Sequence, residues 1–156
     1  MFDAATGQRQ LARLADRTNL DDELRFAAAN EAGRAGLGAL RKLARTARSE
    51  GVQLKAAQAL YALDAVGGAS ELQSLVRQLR GPLRIDAALS LSGKMVVDAL
   101  VTIAEHRNEG EAVRLDAGLK AAERDPRRAR KAWRSLVNDS GVSSATRNTA
   151  KEHCEE

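Results

Sequence analysis

At 156 residues and 16.7 kDa the chain has the length of one domain and can bury a real core. Its composition, 44% hydrophobic and 29% charged, is that of a soluble globular protein, but aromatics make up only 3% and prolines number two, so the core is expected to be aliphatic and alanine-rich. Such side chains favour closely packed helices and leave little room for sheet.

A net charge of +4 and a pI near 9.6 are too small an excess to name a nucleic-acid partner, yet they keep one open. No apolar run approaches the roughly 18 residues that cross a bilayer, and Met1 to Thr6 has neither a basic nor an apolar leader region. The expectation is a cytoplasmic protein with no membrane partner. The single cysteine, Cys154, cannot form an internal disulfide, which agrees with a reducing compartment.

Residues 1–6 read as a disordered tail ahead of a repeat domain over 7–156. A first helix is expected near 7–18, with Leu11, Leu14 and Ala15 facing inward, followed by a second near 21–35. The next pair spans 37–49, with Leu40, Leu43, Ala44 and Ala47 on its inner face, and 52–65. The Gly67-Gly68 pair reads as a turn before a helix over 69–80 carrying Leu72, Leu75, Val76 and Leu79, and Gly81-Pro82 opens a helix over 82–92. Gly93 separates this from a helix over 94–107, with Val96, Val97, Leu100 and Ile103, and Gly110 precedes one over 111–124. Asp125-Pro126 opens a helix over 126–138 bearing Trp133, Leu136 and Val137, and Gly141 precedes the last, 142–154.

A repeat runs through these pairs. Leu24-Arg25-Phe26-Ala27-Ala28-Ala29, Val52-Gln53-Leu54-Lys55-Ala56-Ala57, Leu83-Arg84-Ile85-Asp86-Ala87-Ala88 and Val113-Arg114-Leu115-Asp116-Ala117-Gly118 share one pattern: apolar, usually basic, apolar, polar or small, then two small residues. Their starts lie 28, 31 and 30 residues apart, and a degenerate fifth copy, beginning at Val142, reads as a capping unit at the end of the array. One helix pair cannot cover its own apolar face, whereas stacked neighbours bury a continuous core.

The basic-then-double-small motif at the start of the second helix resembles the short HEAT-like repeat of phycobilin lyases and many bacterial adaptors. The resemblance covers the chain from about Gly7 onward and implies an all-α fold, an α-α superhelix (solenoid) of about five HEAT-like helix pairs. It is nearly silent on function, since proteins of this kind serve as scaffolds, regulators, lyase subunits and, in one branch, DNA glycosylases. One Trp, one Tyr and two Phe are a poor supply for enclosing a bilin or a flipped base.

The resemblance further implies that second helices line a concave binding surface. That selects Arg25, Lys55, Arg84 and Arg114, with Asp86, Asp116 and the aromatic Tyr61, as partner-binding candidates. In HEAT-like arrays such a basic residue often pairs instead with a carboxylate or a carbonyl of the neighbouring repeat and stitches the stack together, and that reading is preferred to the binding one. A second candidate is the acid-free stretch Arg127, Arg128, Arg130, Lys131 and Arg134, whose guanidinium groups suit phosphate or carboxylate, with Trp133 either exposed among them or turned into the core. Basic residues elsewhere, such as Arg9, Arg13 and Arg17, are interspersed with acidic ones and read as a solvated surface.

No catalytic constellation is legible. His106 and His153 are far apart, His153 and Cys154 are adjacent and point about 100° apart on a helix, and the glycines sit at turns rather than grouped in a phosphate-cradling loop. The reading is a non-catalytic scaffold or adaptor for a protein partner, without cofactor or metal. The alternative is a nucleic-acid-binding module, and the oligomeric state is left open.

Overall fold

A computed structural model describes residues 4–155. Within them the chain is all-helical: α1 (Ala4–Ala15), α2 (Asp22–Glu31), a 3-10 turn (Gly33–Gly36), α3 (Leu37–Thr46), α4 (Glu50–Leu63), α5 (Ala65–Gln78), α6 (Gly81–Leu89), α7 (Lys94–Glu105), α8 (Glu111–Ala122), α9 (Pro126–Val137) and α10 (Ser144–Glu155). The starts follow from local chemistry. Asp21 accepts from the Glu23 N–H at 2.8 Å to open α2, Asp64 accepts from Gly67 N–H at 3.0 Å to open α5, and Asp125 accepts from Arg128 N–H at 3.1 Å beside Pro126 to open α9.

Two compact units divide the chain, one running to Leu75 and the other from Val76, so the division falls inside α5. In the first, α1 packs on α2, α2 on α3 and α4, and α3 on α4. Leu40, Leu43, Leu54 and Leu60 are buried there with the fully buried Ala29, Ala56 and Ala57. In the second, α7 packs on both α8 and α9, α9 on α10, and α6 and α10 each on α8, which places α7 and α9 in one layer and α6, α8 and α10 in the other. Leu100, Ile103, Trp133 and Leu136 form its core, interleaved with Ala87, Ala88, Ala117, Ala121 and Ala132. Alanine at so many contacts is what lets helices with few large side chains approach closely enough to exclude water.

Three expectations need correction. Residues 4–6 belong to α1 rather than to a tail, while residues 1–3 lie outside the described residues. Leu14, expected to face inward, is 38% exposed. Gly67 and Gly68 do not form a turn but lie in the first turn of α5, because Asp64 already supplies the break and the cap. Gly68 is needed for a different reason: a Cβ there would stand 2.1 Å from the Tyr61 Cα, so α4 and α5 meet backbone to backbone.

Candidate functional site

The second position of the repeated motif is interior. Arg25, Arg84 and Arg114 are 6%, 2% and 2% exposed, which removes them from any binding surface. Each does the same work. The Nε–H of Arg25 donates to Ala15 O at 3.0 Å, that of Arg84 to Val76 O, and that of Arg114 to Ala104 O at 2.9 Å. Those carbonyls lie in the last turns of α1, α5 and α7, where the helix leaves its acceptors unpaired and its dipole is negative. An arginine at the start of the second helix therefore caps the end of the first.

The other arm of each guanidinium reaches a carboxylate. In the second unit Arg84 Nη1 meets Glu109 at 2.9 Å and Arg114 Nη1 meets Asp139 at 2.7 Å, each carboxylate lying in the loop before the next second helix. Burial works against the charge of Glu109, but Arg84 and the backbone N–H groups of Gly81 and Gly110 outweigh it and hold its pKa below the ordinary value. Asp139 is held low first by the Gly141 N–H and then by Arg114. In the first unit Arg25 pairs at 2.9 Å with Asp22 of its own helix, and the second oxygen of Asp22 accepts from Arg48 N–H at 2.7 Å in the loop before α4. The stitching role that the sequence favoured is thus the one these three arginines occupy.

Lys55 does not belong to that row. The residue aligned with the three arginines is Gln53, whose Nε2 donates to Ala47 O at 2.8 Å at the end of α3. Lys55 occupies the fourth motif position with Asp86 and Asp116, about 200° further round the helix, and it is exposed, pairing with Glu23 of α2 at 2.9 Å. Tyr61 is half-buried on α4, in the first unit, whereas Asp86 and Asp116 belong to the second.

Asp86 and Asp116 do converge. They flank a groove of about 370 Å³ between α6 and α8, whose lining is otherwise Pro82, Ile85, Leu89, Ala112, Val113 and Lys120. Asp116 is tied to Lys120 at 3.3 Å, while among the described residues no ion pair engages Asp86, which is exposed. The apolar members of this groove escaped the sequence reading. Pro82 and Ala112 each precede a motif, and they mark the outward side of the helix on which the fourth position also lies.

Of the α9 cluster, Arg127, Arg130, Lys131 and Arg134 are exposed and Arg128 is half-buried. Arg128 pairs with Asp98 at 2.6 Å and Lys131 with Glu105 at 3.1 Å, both on α7. Trp133 is not among the exposed groups: at 1% exposure it lies against Gly118 of α8, and its ring stacks on His153 of α10 with centroids 4.8 Å apart. Among the described residues no group of three His, Cys, Asp or Glu is placed to hold a metal, and no helix is long and apolar enough to cross a membrane.

The fold and these surfaces define an all-helical protein with an internally repeated buried arginine and two exposed candidate faces. Comparison with protein-family models, curated proteins and solved structures returns no match for this chain.

Proposed function

We propose that the protein is a non-catalytic scaffold, a solenoid of about five HEAT-like helix pairs, that binds a protein partner on the surface of its second helices. The observation that carries this reading is the α6–α8 groove, with apolar walls from Pro82, Ile85, Leu89 and Val113 and the uncompensated carboxylate of Asp86 at its edge. Its volume, about 370 Å³, suits the anchoring of one or two side chains rather than the enclosure of a large cofactor. The partner segment that fits places an apolar side chain in the groove and a lysine or arginine beside it, facing Asp86. The carboxylates with depressed pKa values support a non-catalytic role, since Glu109 and Asp139 are occupied by the bonds described above and Glu111 accepts from Ser143 and Thr146.

Selection of a random peptide library on the immobilised chain tests this. Enriched peptides should pair a large apolar residue with a neighbouring cation and bind Asp86→Lys at least tenfold more weakly. Enrichment of peptides indifferent to Asp86→Lys and to Leu89→Glu would overturn the assignment.

A further inference from the structure

The exposed face of α9 has no place in that reading. Arg127, Arg130 and Arg134 fall within an arc of about 60° on the helix, opposite the buried Ala129, Ala132 and Leu136. Nearby carboxylates are already engaged: Asp98 holds Arg128, Glu105 holds Lys131, and Asp125 caps the helix. Among the described residues no ion pair engages Arg127, Arg130 or Arg134, so three guanidinium groups stand together in solvent without a counter-charge.

From this we infer that α9 is a docking face for the phosphate backbone of duplex nucleic acid, bound without sequence preference. Three features select this ligand. Arg127 and Arg134 are seven residues apart, about 10 Å along the axis, over which one duplex strand carries about three phosphates. Arginine offers a planar fork of donors that fits phosphate oxygens, and the cluster is arginine at all three free positions. An acidic protein partner would need an apolar centre to bury, and the exposed residues of this face, Arg127, Arg130, Lys131, Arg134 and Asn138, offer only the edge proline Pro126 beside them. Single strands are disfavoured by the same inspection, because Trp133, the one aromatic of the helix, is inside and offers no platform for a base.

Fluorescence anisotropy of the full chain with a labelled random-sequence duplex of about 20 base pairs, across a salt series, measures the contact. Replacing Arg127, Arg130 and Arg134 together by glutamine should weaken binding at least tenfold at low salt and reduce the slope of log K against log salt by about 2.7, three phosphate contacts at about 0.9 each. The control removes equal charge elsewhere, at the exposed Arg9 and Arg13 of α1 and Arg17 just beyond it, and should leave the slope unchanged. An equal loss in both variants would assign the binding to net charge and overturn the proposal. So would poly-glutamate displacing the duplex at equal charge, or a single strand binding more tightly than the duplex. Because the substituted residues are exposed, the fluorescence of Trp133 should show the triple variant folded. Duplex binding by Asp86→Lys should be unchanged, which separates this face from the groove.

Discussion

Replacing Arg84 by methionine keeps an apolar stem in the core but takes away a guanidinium that is 2% exposed, together with its bonds to Val76 O and Glu109. What remains is a carboxylate, itself 5% exposed at its side chain, held only by the Gly81 and Gly110 N–H groups at 3.1 and 3.3 Å. Removing one member of a buried pair typically costs about 3–5 kcal/mol, because the survivor keeps its desolvation penalty. An exposed pair behaves otherwise: Lys55 and Glu23 have side chains 52% and 56% exposed, and Lys55→Met should cost under about 1 kcal/mol. Trp133, the single tryptophan and a core residue of the same unit as Arg84, gives the signal for urea unfolding there, and far-UV circular dichroism follows the unit that holds Lys55. Arg84→Met should lower the stability of that unit by more than a hundredfold in its unfolding constant, and Arg84→Met with Glu109→Met should recover much of the loss. Equal costs for Arg84→Met and Lys55→Met would refute the distinction between the second and fourth motif positions on which the site assignment depends.

Four other outcomes follow from the same geometry. Glu109, Glu111 and Asp139 all have pKa values held below the ordinary ones when folded, so the unfolded chain binds more protons; the stability they contribute is present above the ordinary carboxylate range, about pH 4, and is lost as the pH falls through the folded values. Urea midpoints read from Trp133 should therefore drop between pH 5 and pH 3, more steeply than in Glu109→Gln or Asp139→Asn, and a flat profile would contradict the pairing. Gly68→Ala should destabilise by about 1–3 kcal/mol because the Tyr61 backbone cannot yield, whereas Gly38→Ala, in a helix with nothing within 4 Å, should stabilise by up to about 1 kcal/mol; similar thermal midpoints for the two would refute the close contact. Peptides selected on the groove should weaken at least tenfold with Asp86→Lys, and duplex binding should depend on Arg127, Arg130 and Arg134.

The helices were legible because their signals are local. Leucine and alanine at intervals of three and four, with an aspartate, proline or glycine at or near most boundaries, marked all ten within a few residues. Gly67-Gly68 misled because glycine at a turn and glycine at a close helix contact look identical in one dimension, and only the Tyr61 backbone distinguishes them. The same ambiguity affected the candidate site. A basic residue near a helix start is solvent-facing or buried according to its angular position, and aligning Lys55 with the arginines by charge, rather than by motif position, mixed two faces. Aligning by position would have put Gln53 in the row and left Lys55 with Asp86 and Asp116. The carboxylates Glu109 and Asp139 lie 25 residues beyond their arginines, a separation set by tertiary packing that no short pattern reveals. The groove was half visible, through its acids but not through its apolar walls.

The separation of the two motif positions has a consequence for how such a surface can be altered. Two residues along the chain is about 200° around the helix, so exchanging Asp86 for another side chain leaves Arg84 and its partners undisturbed although the two are near neighbours in sequence. Recognition at the groove could then be rewritten by changing single letters, the exposed Asp86 and the half-buried Asp116, with no compensating change inside. A library randomised at the fourth position alone should remain folded in nearly every member, while one randomised at the second should lose most of them.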